Sequence, residues 1–279
     1  MGDSFGDRVA AAVAATGPFC AGVDPSGSLL REWGLGDDAA GLRAFCTTCV
    51  DAFAGTVGVI KPQVAFFERH GSAGIGELER LVTNARAAGI VVIADAKRGD
   101  IDSTAAAYAD AWLSDASPLA ADAVTAHAYL GLAALLPLVR LAATTGRGVL
   151  VVARSSNPEG RSLQQATTSG GPAVEDMILG EIAALNGSPD VPTGTVGAVV
   201  GATLEPSVFP LSQLGGVILA PGLGAQGAGP DEVARRFAGC RPGTVLPSSS
   251  RALLSAGPDP AALRRRAASA VRELAAAMG

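Results

Sequence analysis

The stretch "VVIADAKRGDIDSTAAAYA", residues 91–109, runs four apolar residues straight into Asp95, Lys97, Arg98, Asp100 and Asp102, then turns alanine-rich. A surface helix would mix charged and apolar positions at a period near 3.6. Here the apolar residues come first and the charges follow, as at the end of a buried strand that opens onto a site. Asp95 and Lys97 are two apart, so on a strand both side chains point to the same side. Asp100 is expected to open the next helix, with Thr104 one turn on along the same face. The plainer alternative is a structural ion pair beside an ordinary helix cap at Asp102 or Ser103. Against it, a lysine buried at a strand end is costly without a use.

Seven further short apolar runs resemble this one. They are "FCAGVD" (19–24), "VGVIKPQ" (57–63), "AVTAHA" (123–128), "VLVVARS" (149–155), "VGAVVGAT" (196–203), "GVILAPG" (216–222) and "TVLPSSS" (244–250). Near-continuous apolar strands are buried on both faces, which means a parallel sheet covered by helices. Helical patterns such as "IGELERLVTNARAAG" (75–89) and "PDEVARRFAG" (230–239) lie between them, and "PAALRRRAASAVRELAAAMG" ends the chain. Eight strand–helix units in about 250 residues predict a (β/α)₈ barrel. A doubly wound open sheet usually has fewer strands at this length. No Pro/Gly/Ser-rich linker divides the chain, so residues 1–279 read as one barrel domain with an N-terminal helix. Ser4 with Asp7 forms a capping box for that helix. The loop 155–172 is long and polar, in the place of a flap.

Each expected strand ends in polar residues: Asp24, Lys61, Asp95 with Lys97, His127, Ser155 with Ser156, Thr203, Gln226 just past the seventh, and Ser250 with Arg251. In a barrel these ends converge on one face, where active sites sit. Lys61 beside the third strand puts a second cation next to Asp95. An alternating array of Lys61, Asp95, Lys97 and Asp100 then lets all four stay ionised in a poorly hydrated pocket.

Composition narrows the remaining classes. The 279 residues are 48% hydrophobic and 4% aromatic, with a net charge of -5. That leaves no basic footprint or stacking platform for nucleic acid. The N-terminus lacks the basic and apolar regions of a signal peptide. The most apolar stretch, residues 123–139, is shorter than the roughly 20 residues a membrane span needs. A cytoplasmic protein that binds neither nucleic acid nor membrane is expected. Cys46 and Cys49 make a single C-x-x-C in a helical run, without the second pair or nearby histidines of a zinc site. They read as small buried apolar residues.

"PGLGAQG" (221–227) contains G-x-G-x-x-G between a strand and a helix. It is too near the C-terminus for a dinucleotide fingerprint, and the place about 20 residues on, where an acidic residue belongs, is "LPSS". Gly-rich backbone after the seventh strand still suits a phosphate. Gln226 and Arg251 fit a clamp, because a guanidinium grips phosphate oxygens bidentately. Arg264, Arg265 and Arg266 read as a solvated helix face, and Trp33 and Trp112 as packing.

With these residues in place, the sequence resembles the orotidine 5′-phosphate decarboxylase family, in its longer bacterial branch. "DAKRGDIDST" follows the family pattern D-x-K-x-x-D-I-x-x-T. "AGVDPS", "IKPQVAFFE", "SSNPEG", "VVGAT" and "PGLGAQG" fall where its other signatures lie. The resemblance implies decarboxylation of orotidine 5′-monophosphate to UMP in a homodimer with shared sites, with no metal and no organic cofactor. It implies a catalytic set of Lys61, Asp95, Lys97 and Asp100, with Lys97 as proton donor and Asp95 against the substrate carboxylate. Asp24 and Lys61 would contact the ribose, Ser156 the pyrimidine edge, and Gln226 and Arg251 the phosphate. Ile101 and Ser250 join the substrate-binding set, and Asp100 and Thr104 would reach the neighbouring subunit's site. Ser250 replaces the small residue usual before the phosphate arginine. His127-Ala128 replaces the branch's common Asn-Pro, at a place expected not to touch the charged array. Barrel relatives with the same D-x-K-x-x-D, the Mg²⁺-dependent sugar-phosphate decarboxylases and aldolases, are the alternative. They need a carboxylate where this chain has Lys61.

Overall fold

The computed structural model describes residues 3–224 and 227–279. Eight parallel strands close on themselves in chain order. They are β1 (Cys20–Val23), β2 (Val59–Pro62), β3 (Val91–Arg98), β4 (Ala123–His127), β5 (Gly148–Arg154), β6 (Val196–Val200), β7 (Ile218–Pro221) and β8 (Val245–Ser249). The seam is the pairing of β1 with β8, Cys20 opposite Ser248. The helices are α1 (Phe5–Thr16), α2 (Gly27–Glu32), α3 (Ala39–Phe53), α4 (Ala65–Glu68), α5 (Gly71–Ala87), α6 (Asp102–Leu113), α7 (Leu136–Thr145), α8 (Arg161–Gln164), α9 (Val174–Asn186), α10 (Pro230–Arg236), α11 (Arg251–Leu254) and α12 (Pro260–Met278). None of the described helices is long and apolar enough to cross a membrane.

Strand alternation divides the apolar residues into two cores. Cys20, Val59, Val91, Ile93, Ala123, Leu150, Leu219 and Leu246 fill the barrel interior. Residues of the opposite parity, such as Ala21, Ile60, Val92, Val124, Val149 and Ala198, face the helical ring. The N-terminal end of the barrel is plugged by α1. Its capping box forms as the sequence predicts, with Ser4 and Asp7 exchanging hydrogen bonds. Phe5 and Val9 are fully buried against the interior. Asp122, just before β4, ties that end together: its carboxylate accepts Val92 N–H at 2.8 Å and pairs with Arg8 at 2.5 Å. With one end plugged by α1 and the lower layers filled, the barrel interior opens at its C-terminal mouth.

Three expectations change on folding. The sixth strand is followed by no α-helix; only a 3₁₀ turn, Leu211–Gln213, interrupts the connection to β7. Proline at 206 and 210 and glycine at 215 and 216 explain this, because proline removes helix donors and glycine carries the largest entropy cost. The helix after β3 begins at Asp102, so Asp100 precedes it rather than opening it. That helix has no side-chain cap; its N-cap is Ile101, and Asp102 takes a left-handed φ of 48°. Trp33 and Trp112 are buried, as expected of packing residues. The polar segment after β5 is partly ordered, with a 3₁₀ turn at Pro158–Gly160 and α8.

Candidate active site

Alternation along β3 puts Asp95 and Lys97 on the interior side, in register with Ile93 one layer below, while Ala94 and Ala96 pack outward. β2 carries Lys61 to the same level, and β1 ends beside it at Asp24. The result is a continuous chain of alternating charge. Lys61 Nζ lies 3.8 Å from Asp24 Oδ1 and donates to Asp95 Oδ2 at 3.0 Å; Lys97 Nζ donates to Asp95 Oδ1 at 2.5 Å. Lys61 is almost wholly buried, its side chain 8% exposed, whereas that of Lys97 is 39% exposed at the open end of the row.

Two residues the sequence reading passed over complete the site. Gln63 Nε2 donates to Asp95 Oδ2 at 3.0 Å, and Thr125 Oγ1 donates to Asp95 Oδ1 at 2.9 Å. Both Asp95 oxygens therefore receive two donors. Gln63 follows Lys61 by two, so strand periodicity was a usable signal. Thr125 is the lone hydroxyl inside the apolar run of β4, and a polar residue at such a place was the other signal.

These contacts set the protonation states. Burial alone would raise the Asp95 carboxyl. The adjoining Lys61 and Lys97 ammonium groups and their hydrogen bonds outweigh it and hold the group well below the usual carboxylate range. Burial pushes the Lys61 ammonium down, but Asp24 and Asp95 more than reverse this, and its pKa ends above the ordinary lysine value. Asp95 and Lys61 are thus ionised at neutral pH because each offsets the other's desolvation. His127 ends β4; partial burial first, and then the nearby Lys97 charge, depress its imidazole.

The chain opens into a cavity of about 640 Å³ at the C-terminal mouth of the barrel. That is within the range of small-molecule sites. Asp24, Lys61, Asp95, Lys97, Ser156, Ser250 and Arg251 all line it. Asp24 Oδ1 and Ser250 Oγ are buried there and have no hydrogen-bond partner among the described residues. A buried acceptor and a buried hydroxyl without hydrogen bonds are costly, which suits groups that bind a ligand. The guanidinium of Arg251 makes no ion pair among the described residues and sits on the rim, exposed. Gly22 of β1 is required here: a Cβ would lie 2.6 Å from Cβ of Ser250, closing the gap between β1 and the end of β8. Gln226 lies outside the described residues.

Asp100, Ile101 and Thr104 do not line this cavity. Asp100 Oδ1 is taken up by Ile101 N–H at 2.8 Å, and Ile101 and Thr104 are exposed. The within-chain array is therefore Asp24, Lys61, Asp95 and Lys97, and Asp100 stands outside it. Exposed Tyr129 and Leu130, at 79% and 55%, follow β4 on the adjoining loop. Cys46 and Cys49 are buried in α3, far from any such role; burial pushes both thiols up, away from the reactive thiolate. Arg154 at the end of β5 is also buried, pairing with Glu175 of α9 at 3.0 Å and donating to the Glu205 carbonyl at 2.8 Å.

Comparison with known proteins gives concordant results. The sequence profile of the Orotidine 5′-phosphate decarboxylase / HUMPS family matches residues 18–266. The orotidine 5′-phosphate decarboxylase of Salinispora arenicola is 49% identical over 276 residues, covering 99% of both chains. That of Streptomyces coelicolor is 49% identical over 266 residues, covering 95% of each. Among solved structures, a Streptomyces avermitilis chain provisionally assigned the same activity superposes with a TM-score of 0.92 at 48% identity. It covers 99% of this chain and 96% of that one. The OMP decarboxylase of Leishmania donovani superposes at 0.77 with 26% identity, covering 99% of each.

Proposed function

The chain belongs to the orotidine 5′-phosphate decarboxylase / HUMPS family, and we propose that its charged row performs the decarboxylation of orotidine 5′-monophosphate to UMP with side chains alone. The observation that carries the reading is the unbroken line Asp24–Lys61–Asp95–Lys97 leading into one cavity that has Arg251 on its rim.

The chemistry follows from charge. The bond between C6 of the pyrimidine and its carboxylate breaks, CO₂ leaves, and the electron pair stays on C6. The ring delocalises that pair poorly, so the barrier to be removed is near the upper end of the roughly 8–23 kcal/mol spanned by enzymes. Lys97, as ammonium, stands where negative charge develops and then delivers its proton to C6. Asp95, anionic and held by four donors, faces the departing carboxylate and favours its loss. The site brings its own cations and its own acid, so no step calls for a metal or an organic cofactor.

The rest of the substrate supplies binding energy. Asp24, whose Oδ1 accepts no hydrogen bond among the described residues, and Lys61 take the ribose hydroxyls. Ser156 reads the pyrimidine edge. Arg251, Ser250 and Gln226 hold the phosphate, whose contacts are realised in the transition state although it does not react. Asp100, Ile101 and Thr104 serve the neighbouring subunit of a homodimer, which accounts for their position outside their own cavity. In this reading residues 1–279 act as one catalytic domain in the cytoplasm, in pyrimidine synthesis. The test is a spectrophotometric assay of orotidine 5′-monophosphate with sugar-phosphate acids as comparison. Loss of the orotate absorbance with CO₂ release is expected. Turnover of a sugar phosphate in preference to the nucleotide would overturn the reading.

A further inference from the structure

We propose that Thr125 is a positioning residue whose single hydroxyl sets both the Asp95 carboxylate and the Lys97 backbone for proton delivery. The proposal rests on the reading of Lys97 as the proton donor.

The pairing of β3 with β4 carries it. Ala94 pairs with Val124 and Arg98 with Ala126, so Asp95, Ala96 and Lys97 together face one residue, Thr125. The regular ladder is interrupted there, as at other bulges beside functional sites. Lys97 also takes a left-handed backbone, φ 48°, which a non-glycine residue adopts only when its surroundings enforce it. The interruption deprives the Lys97 N–H of a strand partner. Thr125 Oγ1 replaces it, accepting that N–H at 2.9 Å. The same oxygen donates its proton to Asp95 Oδ1 at 2.9 Å. Both directions are chemically forced, because an amide N–H can only donate and an ionised carboxylate can only accept. The hydroxyl is therefore fully committed and cannot rotate to another partner.

Two further features make the arrangement rigid. Thr125 is wholly buried, so water cannot take over either bond. Its β-branched side chain has few rotamers, which fixes where the hydroxyl points. A side chain of the same shape without the hydroxyl would leave the Lys97 N–H unpaired and Asp95 Oδ1 with one donor instead of two. The lysine would then hang from an unsupported left-handed residue, with its ammonium free to leave the line of the reacting carbon.

The experiment compares Thr125→Val and Thr125→Ser with the parent on orotidine 5′-monophosphate, per folded protein. Thr125→Val should lower kcat by about ten- to hundred-fold, the worth of a lost hydrogen bond to a charged group. KM should stay within about threefold, since the ribose and phosphate contacts are untouched. The acid limb of its kcat profile should move to higher pH, because a carboxylate with fewer donors takes a proton more readily. A merely structural residue would lower the melting temperature and the folded yield without moving that limb or splitting kcat from KM. Thr125→Ser keeps the hydroxyl and should keep the parental kcat, and it decides the matter if the valine variant does not fold. A valine variant with parental kcat, or a serine variant that loses tenfold, overturns the proposal. Failure of the underlying functional reading shows separately, as a parent protein that does not turn over the nucleotide.

Discussion

Replacing Asp95 by asparagine removes one charge and no heavy-atom volume, so its effects can be worked from the contacts alone. In the parent, Lys61 is almost wholly buried and pairs with Asp95 at 3.0 Å, while its other carboxylate, Asp24, is 3.8 Å away. Removing one partner of a buried pair costs about 3–5 kcal/mol when the remaining charge is left uncompensated; here Asp24 still faces Lys61, so the lower end of that range applies. The Lys97 contact adds little: that side chain is 39% exposed, and solvent-screened pairs contribute about 0–1 kcal/mol. The asparagine amide also turns an NH₂ toward two of the four donors that the carboxylate had accepted. Asp95→Asn should therefore lower the urea-derived stability at pH 7 by about 3 kcal/mol and the melting temperature by roughly 6–12 °C.

The pH dependence has a definite sign. The Asp95 pKa is depressed on folding, so its contribution is present above the unfolded value of about 3.9 and is lost as pH falls through the lower folded value. The Lys61 pKa is raised, so its contribution is present below the unfolded value of about 10.4 and is lost as pH rises through the higher folded value. The gap between parent and variant should be flat between about pH 5 and 9 and narrow below about pH 4. Urea titrations of both proteins at one fixed concentration measure this, since the proposed dimer would make midpoints concentration-dependent. Adding Lys61→Met to the variant removes a buried cation that has lost its closer partner and should recover at least about 1 kcal/mol. A variant as stable as its parent at pH 7, or a double variant no more stable than Asp95→Asn alone, would refute the mutual-compensation argument.

Three further outcomes are expected. Exhaustive chelation should leave activity unchanged, because Lys61 stands where metal-using relatives need a carboxylate; loss with EDTA that Mg²⁺ restores would contradict this. Arg251→Ala should lower kcat/KM on the nucleotide by the equivalent of about 2–4 kcal/mol, and an equal loss on the phosphate-free nucleoside would show the arginine misassigned. Lys97→Ala and Asp100→Ala should each be nearly inactive, yet regain about a quarter of parental activity when dissociated and reassociated together, since half the dimers then carry one native site of two. An inactive mixture, with subunit exchange shown by mass spectrometry, would mean that Asp100 acts within its own chain.

Local pattern was enough to read the barrel, its eight strands, and Asp24, Lys61, Asp95, Lys97, Ser156, Ser250 and Arg251 at their mouths. Apolar runs bounded by polar ends repeat along the chain, and each is decided by neighbours a few residues away, so composition and periodicity record it. The same holds for the capping box of α1 and for the pairing of Lys61 with Asp95, once the second and third strands are known to be adjacent. The lost helix after β6 was legible in principle, from the prolines and glycines between residues 206 and 216.

The placements of Asp100 and Thr125 were decided only in three dimensions. Spacing puts Asp100 on the same motif as Lys97, but the helix starts two residues later than spacing suggests, and the aspartate falls outside the cavity. Thr125 lies 30 residues from Asp95 in sequence, inside an apolar run that marks it as core. It acquires its two bonds because β3 takes extra residues against β4 at that level. A register shift depends on how two distant strands meet, and no local pattern in either strand records it. The sequence thus determined that Asp24, Lys61, Asp95 and Lys97 stand at strand ends. The tertiary pairing decided that Asp100 stays outside and which hydroxyl bonds to Asp95 and Lys97, because a hydrogen bond needs two groups within about 3 Å, and the closed sheet brings β3 and β4 that near.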